Sequence, residues 1–244
     1  MINQSGYVIV EGNIGSGKST FSKHLVAALN RKGVRATYLP EPNETNNPFL
    51  AKYYADPKRY AFTMQEHLLG RRYATTQYAQ WGALSGQGWF VMDRSYFGDL
   101  CFANVQQKQQ IFEQDEFGSY VFNHKCMQTN IHFPTAAIFL RCDINKCKER
   151  IAKRMTEREG RRCECAIEDD YLRALQMEID RLEQFMGKYS RVMSRDWNDD
   201  IDTVELRNRA DAIADILLND TAIQRDFYTP WGGCANALFK CEGA

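Results

Sequence analysis

The chain has 244 residues, 44% of them hydrophobic and 12% aromatic, enough to bury one sizeable core. Its 31 basic residues balance 31 acidic ones, which excludes a global field that would gather nucleic acid or an anionic membrane surface; any anion site must be local. The opening MINQSGYVIVEG has no basic leader, and no stretch reaches the roughly 20 apolar residues that span a bilayer, so the expectation is a cytoplasmic protein with neither nucleic-acid nor membrane partners.

In chain order, Tyr7 to Glu11 (YVIVE) is a short apolar run ended by glycine, and Lys18 to Gly33 then shows apolar residues at helical spacing. The pattern predicts strand, loop and helix. RATYLP (Arg35 to Pro40) reads as a second strand, followed by a helical stretch from Pro57 to Trp81. Gly88 to Asp93 is the third strand, Gln106 to Asn130 a further helical stretch, Thr135 to Asp143 the fourth strand, Asp169 to Tyr189 a helix and Arg191 to Trp197 a weaker fifth strand. A terminal helix, ADAIADILLN, ends at Asn219. Strands alternating with helices predict an α/β domain over residues 1–219, built on a five-stranded parallel sheet with helices on both faces and ligands at the carboxyl ends of the strands. Residues 220–244 are read as a tail to which no function attaches. The eight cysteines read as free thiols, since neither the CEC at Cys163 and Cys165 nor the upstream pair Cys142 and Cys147 has zinc-knuckle spacing.

Between the first strand and its helix, Gly12, Gly17, Lys18 and Ser19 satisfy G-x-x-x-x-G-K-[ST]. Glycines let backbone N–H groups wrap phosphates, and a helix N-terminus adds positive potential. The loop Gly12, Asn13, Ile14, Gly15, Ser16, Gly17, Lys18, Ser19 and Thr20 is therefore the candidate site for ATP or another triphosphate. Lys18 would reach the transferred phosphoryl, and the Ser19 hydroxyl would ligate Mg²⁺. Asp93, at the end of the third strand, is the second candidate metal ligand, and Arg94 beside it suits charge on the phosphoryl or a carboxylate. The run RIAKRMTEREGRR (Arg150 to Arg162) predicts an arginine-rich lid over about 154–167, with Arg150, Arg154 and Arg158 as candidate phosphate ligands and Gly160 as a hinge.

A hydroxyl acceptor needs a carboxylate to orient it or take its proton. Glu41, held between Pro40 and Pro42 at the end of the second strand, is placed to do so. Gln65 and Arg72 lie seven residues apart, two turns along one helix face, and could bond the edge of a base; periodicity alone reads them as a polar outer face.

The blocks EGNIGSGKST, PEP, YADPKRYAFTMQ, DRSYFGD and DDYL, in this order, resemble the deoxynucleoside kinase family, with NNPFLAKYYAD and DRS most like its bacterial deoxyadenosine and deoxyguanosine kinase branch. The resemblance implies a P-loop kinase fold, ATP and Mg²⁺, transfer of the γ-phosphoryl to the 5′-hydroxyl of a deoxynucleoside in nucleotide salvage, and a homodimer. By position it makes Glu41 the base, Arg94 its partner at the 5′ end, Tyr54 and Asp170 the sugar 3′-hydroxyl ligands, and Gln65 the paired ligand of the base. Arg72 and Asp99 match the charged pair beside the base in members that accept purines or cytosine, and Phe102 the aromatic over it. Purine deoxynucleosides are expected ahead of deoxycytidine, with thymidine last. Met64 and Asp170 depart from the phenylalanine and glutamate common in relatives, and RDWNDD resembles the loop over the donor's adenine.

Two other readings share these features. A thymidylate kinase-like monophosphate kinase has the same phosphate loop and glutamate-proline, but usually carries an arginine where Pro40 stands, to bind the acceptor's phosphate. A nucleotide-dependent switch would use the phosphate loop but leaves Tyr54, Gln65, Arg72 and Asp99 without a role.

Overall fold

The structure, a computed structural model, describes residues 5–42, 47–157, 167–199 and 202–219. Five strands, β1 (Gly6–Gly12), β2 (Ala36–Leu39), β3 (Trp89–Asp93), β4 (Ala136–Arg141) and β5 (Arg191–Asp196), form one sheet in the order β2-β3-β1-β4-β5, and every pair is parallel. The helices are α1 (Lys18–Arg31), α2 (Leu50–Ala55), α3 (Pro57–Leu84), α4 (Tyr96–Lys108), α5 (Gln114–Gln128), α6 (Ile144–Glu157), α7 (Asp169–Met186) and α8 (Thr203–Asn219). This is the α/β architecture that the alternation predicts, and it agrees with the P-loop kinase fold that the resemblance implies.

Period-two alternation splits the core between the two sheet faces. Tyr7, Ile9, Phe90, Met92, Ala137 and Phe139 meet α3, α4 and α7 on one face. On the other, Val8, Val10, Val91, Ile138 and Leu140 pack against Phe21 and Leu25 of α1 and Leu206, Ile213 and Leu217 of α8. All seven residues of β1 are buried, so the central strand is apolar on both sides until its last turn toward the phosphate loop. Pairing of Val10 with Asp93 aligns the ends of β1 and β3, which sets the phosphate loop beside the Asp93-Arg94 corner.

Three boundaries differ from the sequence reading. The helical stretch from Gln106 to Asn130 is two helices. The first begins at once after β3, where the Ser95 side chain caps it by accepting from Gly98 N at 3.2 Å, and it ends at Lys108 before a left-handed Gln110. The second restarts at Gln114, with Glu116 accepting from Glu113 N at 3.0 Å. The short α2 was not anticipated, and the proposed lid begins inside α6; residues 158–166, including Arg158, lie outside the described residues, as does the tail 220–244. Among the described residues Cys101, Cys126, Cys142 and Cys147 are free thiols, and no helix is long and apolar enough to cross a membrane.

Candidate active site

The phosphate loop leaves β1 at Gly12 and enters α1 at Gly17, whose φ of 90° lies in the left-handed region that glycine adopts without strain. A Cβ at Gly17 would also lie 2.9 Å from Trp197 Nε1, so the indole of the RDWNDD segment rests on the loop. Lys18, 6% exposed, folds back to donate to Asn13 O at 2.7 Å. Burial and the Arg94 charge push its pKa down to about 8, against the pull of Asp93, Glu41 and Glu11. Asn13 is fixed from outside the loop: its Nδ2 donates to Leu172 O at 2.9 Å and Gln176 Oε1 at 3.2 Å, both on α7.

Ser19 Oγ donates to Asp93 Oδ2, and Tyr38 Oη reaches the same oxygen at 3.3 Å. Burial, then the Glu41 charge, raise the Asp93 pKa, and its Oδ1 is buried with no hydrogen-bond partner. A hydroxyl and a carboxylate with a spare lone pair, beside a phosphate loop, fit a hard cation that takes its other oxygens from phosphates and water. The described residues contain no group of three His, Cys, Asp or Glu side chains suited to a metal.

Beyond β3 the charges interlock. Glu41 Oε1 accepts from Arg72 Nη2 at 2.8 Å and lies 2.9 Å from Arg94 Nε. Arg72, 2% exposed, also binds Asp99 through Nη1, and Tyr120 Oη donates to the other Asp99 oxygen at 2.6 Å. Burial pulls the Arg72 pKa down, but Asp99 and Glu41 together outweigh it and hold the guanidinium charged. Gln65, fully buried, donates Nε2 to Asp99 O at 3.2 Å and leaves Oε1 without a partner. Phe102 lies under both guanidinium groups, 5.3 Å from Arg72 and 4.7 Å from Arg94. Gln65 and Arg72 are therefore not a polar outer face, because α3 runs between the sheet and α5 and buries the side that carries them.

The remaining candidates are more dispersed. Tyr54 is half-buried beside Tyr53, 5.2 Å between ring centroids, whereas Asp170 is exposed on the first turn of α7. It is the neighbouring Tyr171 that turns inward, near Tyr53, Tyr54 and Arg94, and burial raises its pKa strongly. Arg150 stands at the loop without being free: it donates to Asp199 O at 2.8 Å and to Cys142 Sγ at 3.3 Å. Arg154 is half-buried on α6, and Thr20 is exposed on α1. Sequence reasoning passed over Glu11, Tyr120 and Tyr171. For Glu11 a signal existed: alternation puts it on the same face as Tyr7 and Ile9, so a carboxylate had to point inward.

A profile of the family described as deoxynucleoside kinase matches residues 8–217. The chain belongs to the deoxynucleoside kinase family. Members of this family are ATP-dependent phosphotransferases. Among curated relatives, a deoxyguanosine kinase of Dictyostelium discoideum is 33% identical over 197 residues, 80% of this chain and 65%, just under two thirds, of that protein. A deoxyadenosine kinase of the same organism is 28% identical over 200 residues, covering 82% of this chain and 76% of that one. A bacterial member, the deoxyadenosine/deoxycytidine kinase of Bacillus subtilis (strain 168), is 30% identical over 161 residues, 65% and 70% of the two chains. The solved structure of deoxyadenosine kinase from M. mycoides with bound dATP superposes with a TM-score of 0.68 at 22% identity, over 85% of this chain and 98% of that one. At that identity it carries the deoxynucleoside kinase fold and no more.

Proposed function

We propose that the protein transfers the γ-phosphoryl of ATP to the 5′-hydroxyl of a deoxynucleoside, with deoxyadenosine or deoxyguanosine favoured over deoxycytidine and thymidine. The observation that carries this reading is the pairing around Glu41: Arg72 and Arg94 both face its Oε1, and each has a further carboxylate within 4 Å, Asp99 for Arg72 and Glu11 for Arg94. These two cations are already balanced, which favours a neutral nucleoside over a monophosphate acceptor. In this reading Glu41 takes the proton of the 5′-hydroxyl, while Lys18 and Arg94 receive charge that spreads over the transferring oxygens. Ser19 and Asp93 would hold Mg²⁺, which supplies compensation for charge on the phosphates. Gln65, with Arg72 and Asp99 behind it and Phe102 alongside, reads the base; Tyr54 and Tyr171 approach the sugar.

The relatives' names, deoxyguanosine and deoxyadenosine kinase among them, support the purine preference. The homodimer implied by resemblance is supported by aromatic surface on two helices, Tyr78 (57% exposed) and Trp81 (58%) on α3 and Phe122 (60%) on α5.

The test is coupled ADP release with ATP and Mg²⁺ against the four deoxynucleosides and their monophosphates. Release with a purine deoxynucleoside is expected, and release with monophosphates alone rejects the acceptor assignment. Glu41→Gln is expected to lower kcat by about 10²–10⁴-fold, the usual contribution of a general base, while KM for the nucleoside stays within a fewfold. An unchanged kcat removes Glu41 from the mechanism.

A further inference from the structure

Glu11 is a carboxylate with no exposed surface at the end of β1, and neither phosphate binding nor proton abstraction accounts for it. Ser95 Oγ donates to its Oε1 at 2.7 Å, but Oε2 has no hydrogen-bond partner and lies 3.7 Å from Arg94 Nη1. The space for it was made by a glycine: a Cβ on Gly98 would fall 2.5 Å from one carboxylate oxygen and 2.7 Å from the other.

Arg94 is held by three successive residues of the same strand. Its backbone N–H donates to Val10 O at 3.1 Å, its Nη1 faces Glu11 Oε2, and the same Nη1 donates to Gly12 O at 3.1 Å. Such a grip answers a local cost, since Arg94 has a φ of 66°, a left-handed conformation that a residue with a side chain rarely adopts. The backbone bond to Val10 and the carbonyl of Gly12 fix where the guanidinium starts, but neither carries a net charge. Glu41 on the other side does, and it pulls Arg94 Nε from 2.9 Å.

We propose that Glu11 is a positioning residue: from inside the sheet it balances the pull of Glu41 on Arg94 and keeps the guanidinium at the junction of the phosphate loop and the acceptor carboxylate. The proposal rests on the phosphoryl-transfer reading above for its kinetic consequence, but the Glu11-Arg94 coupling itself does not. A gripped Arg94 is in place before charge develops on the phosphoryl, so loss of Glu11 acts on the chemical step and leaves nucleoside affinity alone. The carboxylate's charge is what matters, not its bulk.

The experiment compares the full-length parent with Glu11→Gln, Glu11→Asp, Arg94→Ala and the Glu11→Gln/Arg94→Ala double variant. Glu11→Gln keeps an acceptor for Ser95 and removes the charge; kcat is expected to fall 10- to 100-fold with KM for the nucleoside within threefold. Glu11→Asp keeps the charge and is expected to stay within about fivefold of the parent. In the Arg94→Ala background Glu11→Gln is expected to cost less than twofold, because the group it acts through is gone. Equal losses in both backgrounds, an Asp variant as slow as the Gln variant, or a drop in kcat matched by a drop in folded protein each overturn the proposal. Melting temperatures of the same proteins give a second cycle that needs no activity: the double variant is expected to lose less than the sum of the single losses, and additive losses overturn the coupling. A parent inactive toward every deoxynucleoside, with a coupled melting cycle, rejects the phosphoryl-transfer reading instead.

Discussion

Replacing Asp99 by alanine separates what the buried charges do for the fold from what they do for the substrate. Asp99 has no exposed surface and satisfies two groups at once, Arg72 through one oxygen and Tyr120 Oη through the other at 2.6 Å. Alanine strips Arg72 of one partner, leaves it Glu41 at 2.8 Å, and takes from the fully buried Tyr120 hydroxyl its 2.6 Å acceptor. Breaking a buried ion pair from one side costs about 3–5 kcal/mol, and an unsatisfied buried hydroxyl about 1–3 kcal/mol. Because Glu41 still holds Arg72, the lower part of that sum applies, about 4 kcal/mol. For a chain of this size each kcal/mol moves Tm by about 2–4 °C, so Asp99→Ala is expected to melt about 8–16 °C lower. Thermal melts followed by circular dichroism read this directly. With Asp99 gone, Gln65 keeps its bond to the backbone oxygen of residue 99, but Arg72, which the proposed function sets beside the base, loses one of the two carboxylates that fix it. In steady-state assays kcat/KM for the preferred purine deoxynucleoside should fall about 10- to 100-fold, the scale of one weakened hydrogen bond to a charged group, about 1.5–3 kcal/mol. Thymidine should change less, so the ratio between them narrows. A Tm within 3 °C of the parent refutes the ion-pair argument; an unchanged ratio refutes the base-reading role.

Two further outcomes follow from the phosphate loop and its neighbours. Burial and Arg94 push the pKa of Lys18 down to about 8, and a bound triphosphate restores the charge, so binding of a nonhydrolysable triphosphate should take up about half a proton at pH 8 and almost none at pH 6.5. Titration calorimetry in two buffers of different ionisation heat reads the uptake, and a flat profile contradicts the assignment. The same depressed pKa sets a sign for stability: between about pH 8 and the unfolded value of about 10.4 the unfolded chain binds the extra proton, so Lys18 makes the protein more stable as pH rises through that window. Gly98→Ala places a methyl group 2.5–2.7 Å from the Glu11 carboxylate, and an overpacking cost of about 1–3 kcal/mol equals or exceeds the roughly 1 kcal/mol gained in helix propensity. It should lower Tm by a few degrees and kcat with it; a stabilised, fully active variant means the carboxylate has room to move.

Much of the fold was legible because two independent signals agreed at the three central strands. YVIVE, WFVMD and AIFLR are apolar on both faces, as strands buried in a parallel sheet must be, and glycine or aspartate marks where each meets the ligand edge. The split between α4 and α5 was not legible, since the break at Gln110 has no glycine or proline to announce it and depends on a left-handed glutamine. Nor was the burial of Gln65 and Arg72. Pattern reading assigns polar residues to the outside, and α3 violates the pattern because each of these groups finds a partner inside, Asp99 O for Gln65 and two carboxylates for Arg72. A helix that buries paired polar groups on its inner face looks, from its periodicity, like a helix with no inner face. Glu11 was hidden differently: it stands one residue before the first glycine that the phosphate-loop pattern counts.

The same partnerships bear on the choice of acceptor. Three cations, Lys18, Arg72 and Arg94, meet four carboxylates, Glu11, Glu41, Asp93 and Asp99, at the carboxyl edge of the sheet. A divalent cation and a triphosphate entering together bring charges of both signs to the Lys18 and Asp93 side of this cluster, where Asp93 Oδ1 has no partner to surrender. On the Arg72 and Arg94 side the guanidinium atoms with no hydrogen-bond partner are the Nε of each, but three carboxylates, Glu11, Glu41 and Asp99, already surround the two cations. A phosphorylated acceptor there would have to draw a guanidinium away from a carboxylate, and releasing one member of a buried pair costs about 3–5 kcal/mol, a loss of about two to four orders of magnitude in affinity. A neutral nucleoside asks only that Gln65 find a partner for its free Oε1 and that Glu41 accept a hydroxyl proton. The charge pairing therefore supports a nucleoside acceptor on grounds separate from the missing arginine at Pro40, and each can fail without the other: an arginine introduced at position 40 tests the sequence argument, while the monophosphate arm of the ADP-release assay tests the pairing.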